Sequence, residues 1–266
     1  LEPLEKYNID YQFYHINEKL LPIVDFDISD KEAILIINYF GLLENDIYSL
    51  ANSFKNIIID NSHAFYSKPI KDICTFYSPR KFFGVPDGGY LYSNETLNLK
   101  LDKSISINKF EHLISRLDIS GESGYAKYLK NEDSLSNQKI RLMSNATKKI
   151  LASIDYKKVA DKRRINYSFL KNKLSNINSL NLKSLKNSVP LCYPLLVEGE
   201  SVREYLIENN IYIPSFWPNY EAREKKMNGI ESFLSTHLLP LPIDQRYNQK
   251  DMKLILDVLY TKLRFK

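Results

Sequence analysis

Two apolar runs constrain this chain more than anything else in it. "KEAILIINYFG" (31–41) is apolar without alternation, and "IIID" (57–60) runs three isoleucines into a carboxylate. Unbroken apolar runs of this length suit parallel strands buried on both faces, because a strand with one wet face alternates. Between them "ENDIYSLANSFKN" carries helical spacing, with Asn45 as the expected N-cap. Strand, helix, strand is the unit of a parallel sheet, so the first part reads as α/β. Further strands are expected at "YQFYHI" (11–16), "DICTFY" (72–77) and "GGYLYSN" (88–94), the last entered through glycines.

From about residue 107 the period changes. "INKFEHLISRLDIS" (107–120) and "QKIRLMSNATKKILASIDYKKVADKRRINYSFLKNKLSN" (138–176) space apolar residues three and four apart. The second is too long for one ordinary helix, and a break is expected near Asp155. Strand "VPLCYPLLVEG", helix "SVREYLIENN", strand "IYIPSFW" and closing helix "NQKDMKLILDVLYTKL" follow. The expected organisation is an α/β large domain over 1–140, then linking helices and a smaller α+β domain over 141–266.

The 266 residues suffice for that plan, and the balance of 37 basic to 32 acidic residues is spread along the chain without the dense run that nucleic-acid binding requires. No apolar run approaches the roughly 20 residues of a membrane span. Cys74 and Cys192 are too few for a disulfide framework, which fits a reducing cytoplasm.

The chemistry concentrates at two places. A carboxylate ending a buried parallel strand sits at the carboxyl edge of the sheet, where α/β folds hold ligands. Asp60 is so placed, and His63 follows it. In "FYSPRKFFGVPDGGYLYSN" (76–94) a single lysine, Lys81, stands beside Phe82 and Phe83. Desolvation there would lower its pKa and make the amine a nucleophile. An acid to hold a pyridine nitrogen protonated and a lysine to form a Schiff base are the pair that pyridoxal 5′-phosphate (PLP) needs. Taken singly, a strand-end Asp is more often a cap and a lysine more often a solvated surface group.

The ordered set "ILIINYFG", "IIIDNSHA", "SPRKFFGVPDGGYL", "DKRRINYSFL" and "LLPLPIDQRY" resembles the DegT/DnrJ/EryC1/StrS family of PLP-dependent aminotransferases, in order from about residue 9 to residue 260. The resemblance implies the PLP-dependent transferase fold of type I, a mainly parallel sheet with flanking helices. It implies that Lys81 is the Schiff-base lysine and general acid/base, that Asp60 pairs with the pyridine nitrogen and that His63 lies against the ring or its 3-hydroxyl. Ser78 and Arg80 fall to the cofactor phosphate, Arg80 also to a substrate carboxylate. Tyr77, Trp217, His237 and Arg246 are further candidates for the substrate side. The implied reaction moves an amino group from a donor such as glutamate to a keto-sugar or similar small acceptor, in a homodimer. Phe82, Phe83 and Pro86 are the expected apolar contact of that dimer. The family's phosphate-binding segment before this point has no counterpart here, and Asn145 is the nearest match to its phosphate-reaching asparagine. That departure keeps a second expectation open, a truncated or non-catalytic relative that serves as a partner subunit.

Overall fold

A computed structural model describes residues 1–183, 186–199, 201–217 and 229–264. After a short helix α1 (Glu2–Lys6), the first strands are β1 (Ile34–Ile37), β2 (Ile57–Asp60), β3 (Cys74–Tyr77) and β4 (Tyr90–Tyr92). They form one sheet in that order, the first three parallel and β4 antiparallel to β3. Helix α2 (Glu44–Ala51) is the crossover between β1 and β2. Its N-cap is Leu43, and Asn45 lies inside the helix rather than capping it.

Register fixes the faces. Ile36 opposes Ile59 and Ile59 opposes Thr75, so Ile34, Ile36, Ile57, Ile59, Thr75 and Tyr77 share one buried face. The other face carries Leu35, Ile58, Asp60, Phe76 and Leu91, and both Leu35 and Leu91 are exposed. The run 31–41 therefore supplies a four-residue parallel strand, Ile34–Ile37, that is buried fully on one face only. Asp60, opposite Phe76, stands on the more open face at the carboxyl end of β2.

Helices α3 (Glu111–Asp118) and α4 (Gly121–Leu135) form a hairpin after the sheet. Then come α5 (Asn145–Ala152) and α6 (Tyr156–Leu174), separated at the expected place, where the Asp155 side chain caps α6 by accepting from Lys158 N at 2.9 Å. Residues 138–144, read as helical from their spacing, are not helix; Ser144 caps α5 instead. Strand β5 (Tyr193–Leu196), helix α7 (Val202–Glu208), helix α8 (Ile230–His237), strand β6 (Leu238–Leu241) and helix α9 (Gln249–Arg264) complete the chain. β5 and β6 pair antiparallel as a small second sheet.

Two expected strands are not formed. Residues 11–16 hold only an isolated bridge from Ile16 to Pro22, and Ile9, Tyr11 and Phe13 stay exposed. Residues 211–217 run without strand pairing because β5 pairs instead with β6. One hydrophobic core runs through both parts, joining Ile36, Phe40 and Ile59 to Leu170, Leu195, Leu241 and Leu259.

Candidate functional site

The site is built at the carboxyl ends of β2 and β3. Beyond β2 the chain turns on a polar floor: Asn38 N donates to Asp60 O at 3.0 Å, Asn61 N to Phe76 O at 2.9 Å, and Asn38 Nδ2 to Asn61 Oδ1 at 3.1 Å. Both asparagines are buried, so these bonds replace water that the strand ends have lost. Asp60 Oδ1 accepts from Ser62 N at 2.7 Å and from the Ser62 hydroxyl, which fixes the carboxylate at the edge.

His63 is 3% exposed and its ring stacks on Phe40 at 5.7 Å. Its Nε2 lies 2.9 Å from Lys81 Nζ. Burial, and then the charge of Lys81, hold its pKa well below the ordinary imidazole value, so the ring is neutral at neutral pH. With Nε2 accepting from the lysine, the ring proton is assigned to Nδ1, which is buried and has no hydrogen-bond partner.

Lys81 closes a single 3-10 turn, Pro79–Lys81, directly after β3. Lys81 N donates to Ser78 O at 3.4 Å and Phe82 N to Pro79 O at 3.0 Å. The residue as a whole is exposed, yet the protein packed around its amine lowers the pKa by desolvation. The Asp60 carboxylate acts against that shift and the Arg80 guanidinium adds to it. His63 and Lys81 thus meet beyond the strand ends, with the Asp60 carboxylate near enough to act on the charge of the lysine.

The other expected residues are placed differently. Ser78 caps the turn without a side-chain bond. Arg80 turns its guanidinium to Glu132 on α4. Tyr77 lies on the opposite face from Asp60; its hydroxyl donates to Ser67 O at 2.9 Å, and burial pushes its pKa up to about 12. Arg246 is held bidentately by Asp244 at 2.7 and 2.8 Å. His237 stacks on Phe233 at 4.3 Å and lines a cavity of about 350 Å³ with Arg203, Glu204 and Thr236, into which none of Asp60, His63 and Lys81 reaches. Asn145 is the exposed first residue of α5. Trp217 does join the group, its ring 5.8 Å from that of His63. Phe82, Phe83 and Pro86 correct one expectation. All three are buried, the two phenylalanines against Phe65, Tyr66 and Tyr156, and they offer no surface for a second copy.

Three supporting residues escaped the sequence reading. Arg163 on α6 is 1% exposed; its guanidinium covers the Phe82 ring at 4.6 Å and donates to Gln245 Oε1, Pro190 O, Leu191 O and, at 3.5 Å, Phe82 O. Gln245 Nε2 reaches the same Phe82 carbonyl at 2.8 Å. The peptide after Lys81 is thereby clamped from two distant segments. Asp87, in the Pro-Asp-Gly-Gly turn, accepts from Ser144 N, Ser144 Oγ and Thr147 Oγ1. Burial pushes its pKa up, but hydrogen bonds from Thr147, Ser104 and Ser144 outweigh that and hold it low. The only sequence trace of this link is Ser144 three residues before Thr147, a cap pattern.

The chain has the fold of PLP-dependent type I aminotransferases, a sheet of three parallel strands and an antiparallel fourth with flanking helices. Solved structures agree. The chain is similar to a DegT/DnrJ/EryC1/StrS aminotransferase from Brucella abortus, at 16% identity and TM-score 0.53, over 86% of this chain and 64% of that one. It is similar to the Helicobacter pylori aminotransferase of pseudoaminic acid biosynthesis, at 14% identity and TM-score 0.58, over 99% and 76%. It is also similar to the Bacillus subtilis protein NtdA with bound cofactor PMP, at 15% identity and TM-score 0.50, over 89% and 58%. The chain thus spans less than two thirds of the first and third of these structures. No protein-family model and no curated protein matches the sequence. Among the described residues no helix is long and apolar enough to cross a membrane.

Proposed function

We propose that this chain is a PLP-dependent aminotransferase, moving an amino group from an amino acid such as glutamate to a keto-sugar or similar small polar acceptor. One observation carries the reading: the Lys81 amine lies 2.9 Å from a neutral, buried His63, within the field of the Asp60 carboxylate. The residues present fit the cofactor, since a lysine with a lowered pKa, a strand-end carboxylate and an imidazole with an orphaned buried nitrogen converge.

Bound PLP supplies an electron sink for the carbanion formed at the substrate carbon. The lowered pKa leaves a larger share of Lys81 as free amine, the form able to bond to an aldehyde. The same amine would move a proton to and from the reacting carbon. Asp60 would hold the ring nitrogen of the cofactor protonated, its carboxylate kept in place by Ser62. His63 orients the Lys81 amine. In this reading Ser78 serves the phosphate, and Arg80 would join it only by leaving its pairing with Glu132.

The division at residue 140 is proposed as the boundary between a cofactor-binding part and a smaller part that closes on it. A second copy of the chain is proposed as partner, meeting the α3–α4 region, where Ile107, Leu117, Ile119 and Tyr125 are exposed. Both cysteines are free thiols, which suits the reducing cytoplasm proposed for it. A second reading, a non-catalytic partner subunit, is favoured by the half-covered sheet face carrying Leu35 and Leu91. Turnover with glutamate and keto-sugar acceptors, for the parent and Lys81→Ala, decides between them. The proposal expects a loss of at least about 100-fold in the variant. Equal rates would overturn the assignment of Lys81, and no turnover in either protein would count for the non-catalytic reading.

A further inference from the structure

We propose that Trp217, with Phe216 beside it, forms the aromatic wall on which the cofactor ring lies, an inference that rests on the PLP reading of Lys81. The two rings stand 4.9 and 5.8 Å from the imidazole of His63, and 5.4 Å from each other. Phe40 and Tyr39 close the cluster behind them, each ring within 6.5 Å of that of Trp217. His63 in turn touches the Lys81 amine. A ring bonded to that amine therefore meets aromatic faces contributed by the chain between α7 and α8.

Two further observations single out this wall from ordinary core packing. Phe40 and Trp217 both hold left-handed backbone, φ +58 and +56, although neither is glycine. Such conformations are unfavourable for side-chain-bearing residues, and they gather where geometry serves a site. Trp217 is also 39% exposed while packed against a buried imidazole, so part of its side chain stays open to an incoming ring. An indole is the strongest partner among side chains for a flat, cationic heteroaromatic ring, which is what a protonated pyridine is. The orphaned Nδ1 of His63 lies in the same aromatic shell, leaving a donor for a polar substituent of that ring.

Trp217 is the sole tryptophan of the chain, so its emission reports on this spot alone. The full chain is titrated with PLP and with 4′-deoxypyridoxine 5′-phosphate, which keeps the ring and phosphate but has no aldehyde to bond to Lys81. The expected result is saturable quenching of Trp217 emission by both compounds. Trp217→Leu is expected to weaken binding of the deoxy compound about fivefold by equilibrium dialysis, and Trp217→Phe to restore most of it. A Trp217→Leu chain that does not fold, judged by circular dichroism, leaves the decision to the quenching and the Phe variant. PLP that labels Lys81 with no change in Trp217 emission would overturn the wall and leave the lysine assignment standing. Binding unaltered in Trp217→Leu would do the same. Binding of neither compound to the parent would overturn both.

Discussion

His63 gives the sharpest thermodynamic prediction. Its folded pKa lies well below 6.5, first because it is buried and then because Lys81 places a positive charge beside Nε2. For a basic group depressed in this way the folded state favours the neutral form. The stabilisation is intact above the unfolded pKa of 6.5 and is lost as pH falls below it, until the folded pKa is reached. The loss is about 1.4 kcal/mol for each pH unit in that window. His112 is also depressed, chiefly by burial, and contributes to the same window in any protein that contains it. The perturbation is therefore a difference: His63→Gln keeps an acceptor for the lysine and removes the titration. Urea midpoints at pH 7.5 and 5.5 should show the parent losing about 1.4 kcal/mol more than the variant. Parallel losses in the two proteins would refute the claim that His63 is buried neutral against Lys81.

Arg163→Met should destabilise the fold by about 2–4 kcal/mol in urea, because Pro190 O, Leu191 O and Gln245 Oε1 lose a buried donor while the cost of burying the guanidinium is relieved. A variant as stable as the parent would show that the clamp on Phe82 is not a stabilising feature. Gly88→Ala should cost roughly 1–3 kcal/mol by the same assay, since φ is +101 and the new Cβ would stand 3.1 Å from Met143 Cβ and 3.2 Å from Thr147 Cγ2. Unchanged stability would mean that the turn after Lys81 relaxes freely.

Strands β1, β2 and β3 were legible because their residues carry the signal themselves: apolar runs that stop at Asn38 and Asp60, then Tyr77 before a proline. The break at Asp155 was legible as a capping carboxylate. Helix α4 was not, because it buries only Gly124 and Asn131 and so lacks an apolar stripe. Strand β6 was hidden by Pro240, which reads as a breaker yet fits a two-stranded ribbon, where one side of the strand needs no partner. Asp60, His63 and Lys81 could be read because each sits at or just past a strand end. Arg163 and Gln245 reach Phe82 from 81 and 163 residues away, and no local spacing encodes such a meeting. Trp217 was a candidate for the substrate side by resemblance, and only the tertiary fold brings it to His63.

The central claim is that the Lys81 amine is the covalent anchor of a cofactor aldehyde. Brief incubation of the full chain with substoichiometric PLP, borohydride reduction and peptide mass spectrometry test it directly. The account predicts a reduced PLP adduct on Lys81 ahead of every other lysine, because its pKa is lowered, and loss of that label in Lys81→Ala. A label spread over exposed lysines with no preference for Lys81, or none at all, would contradict it.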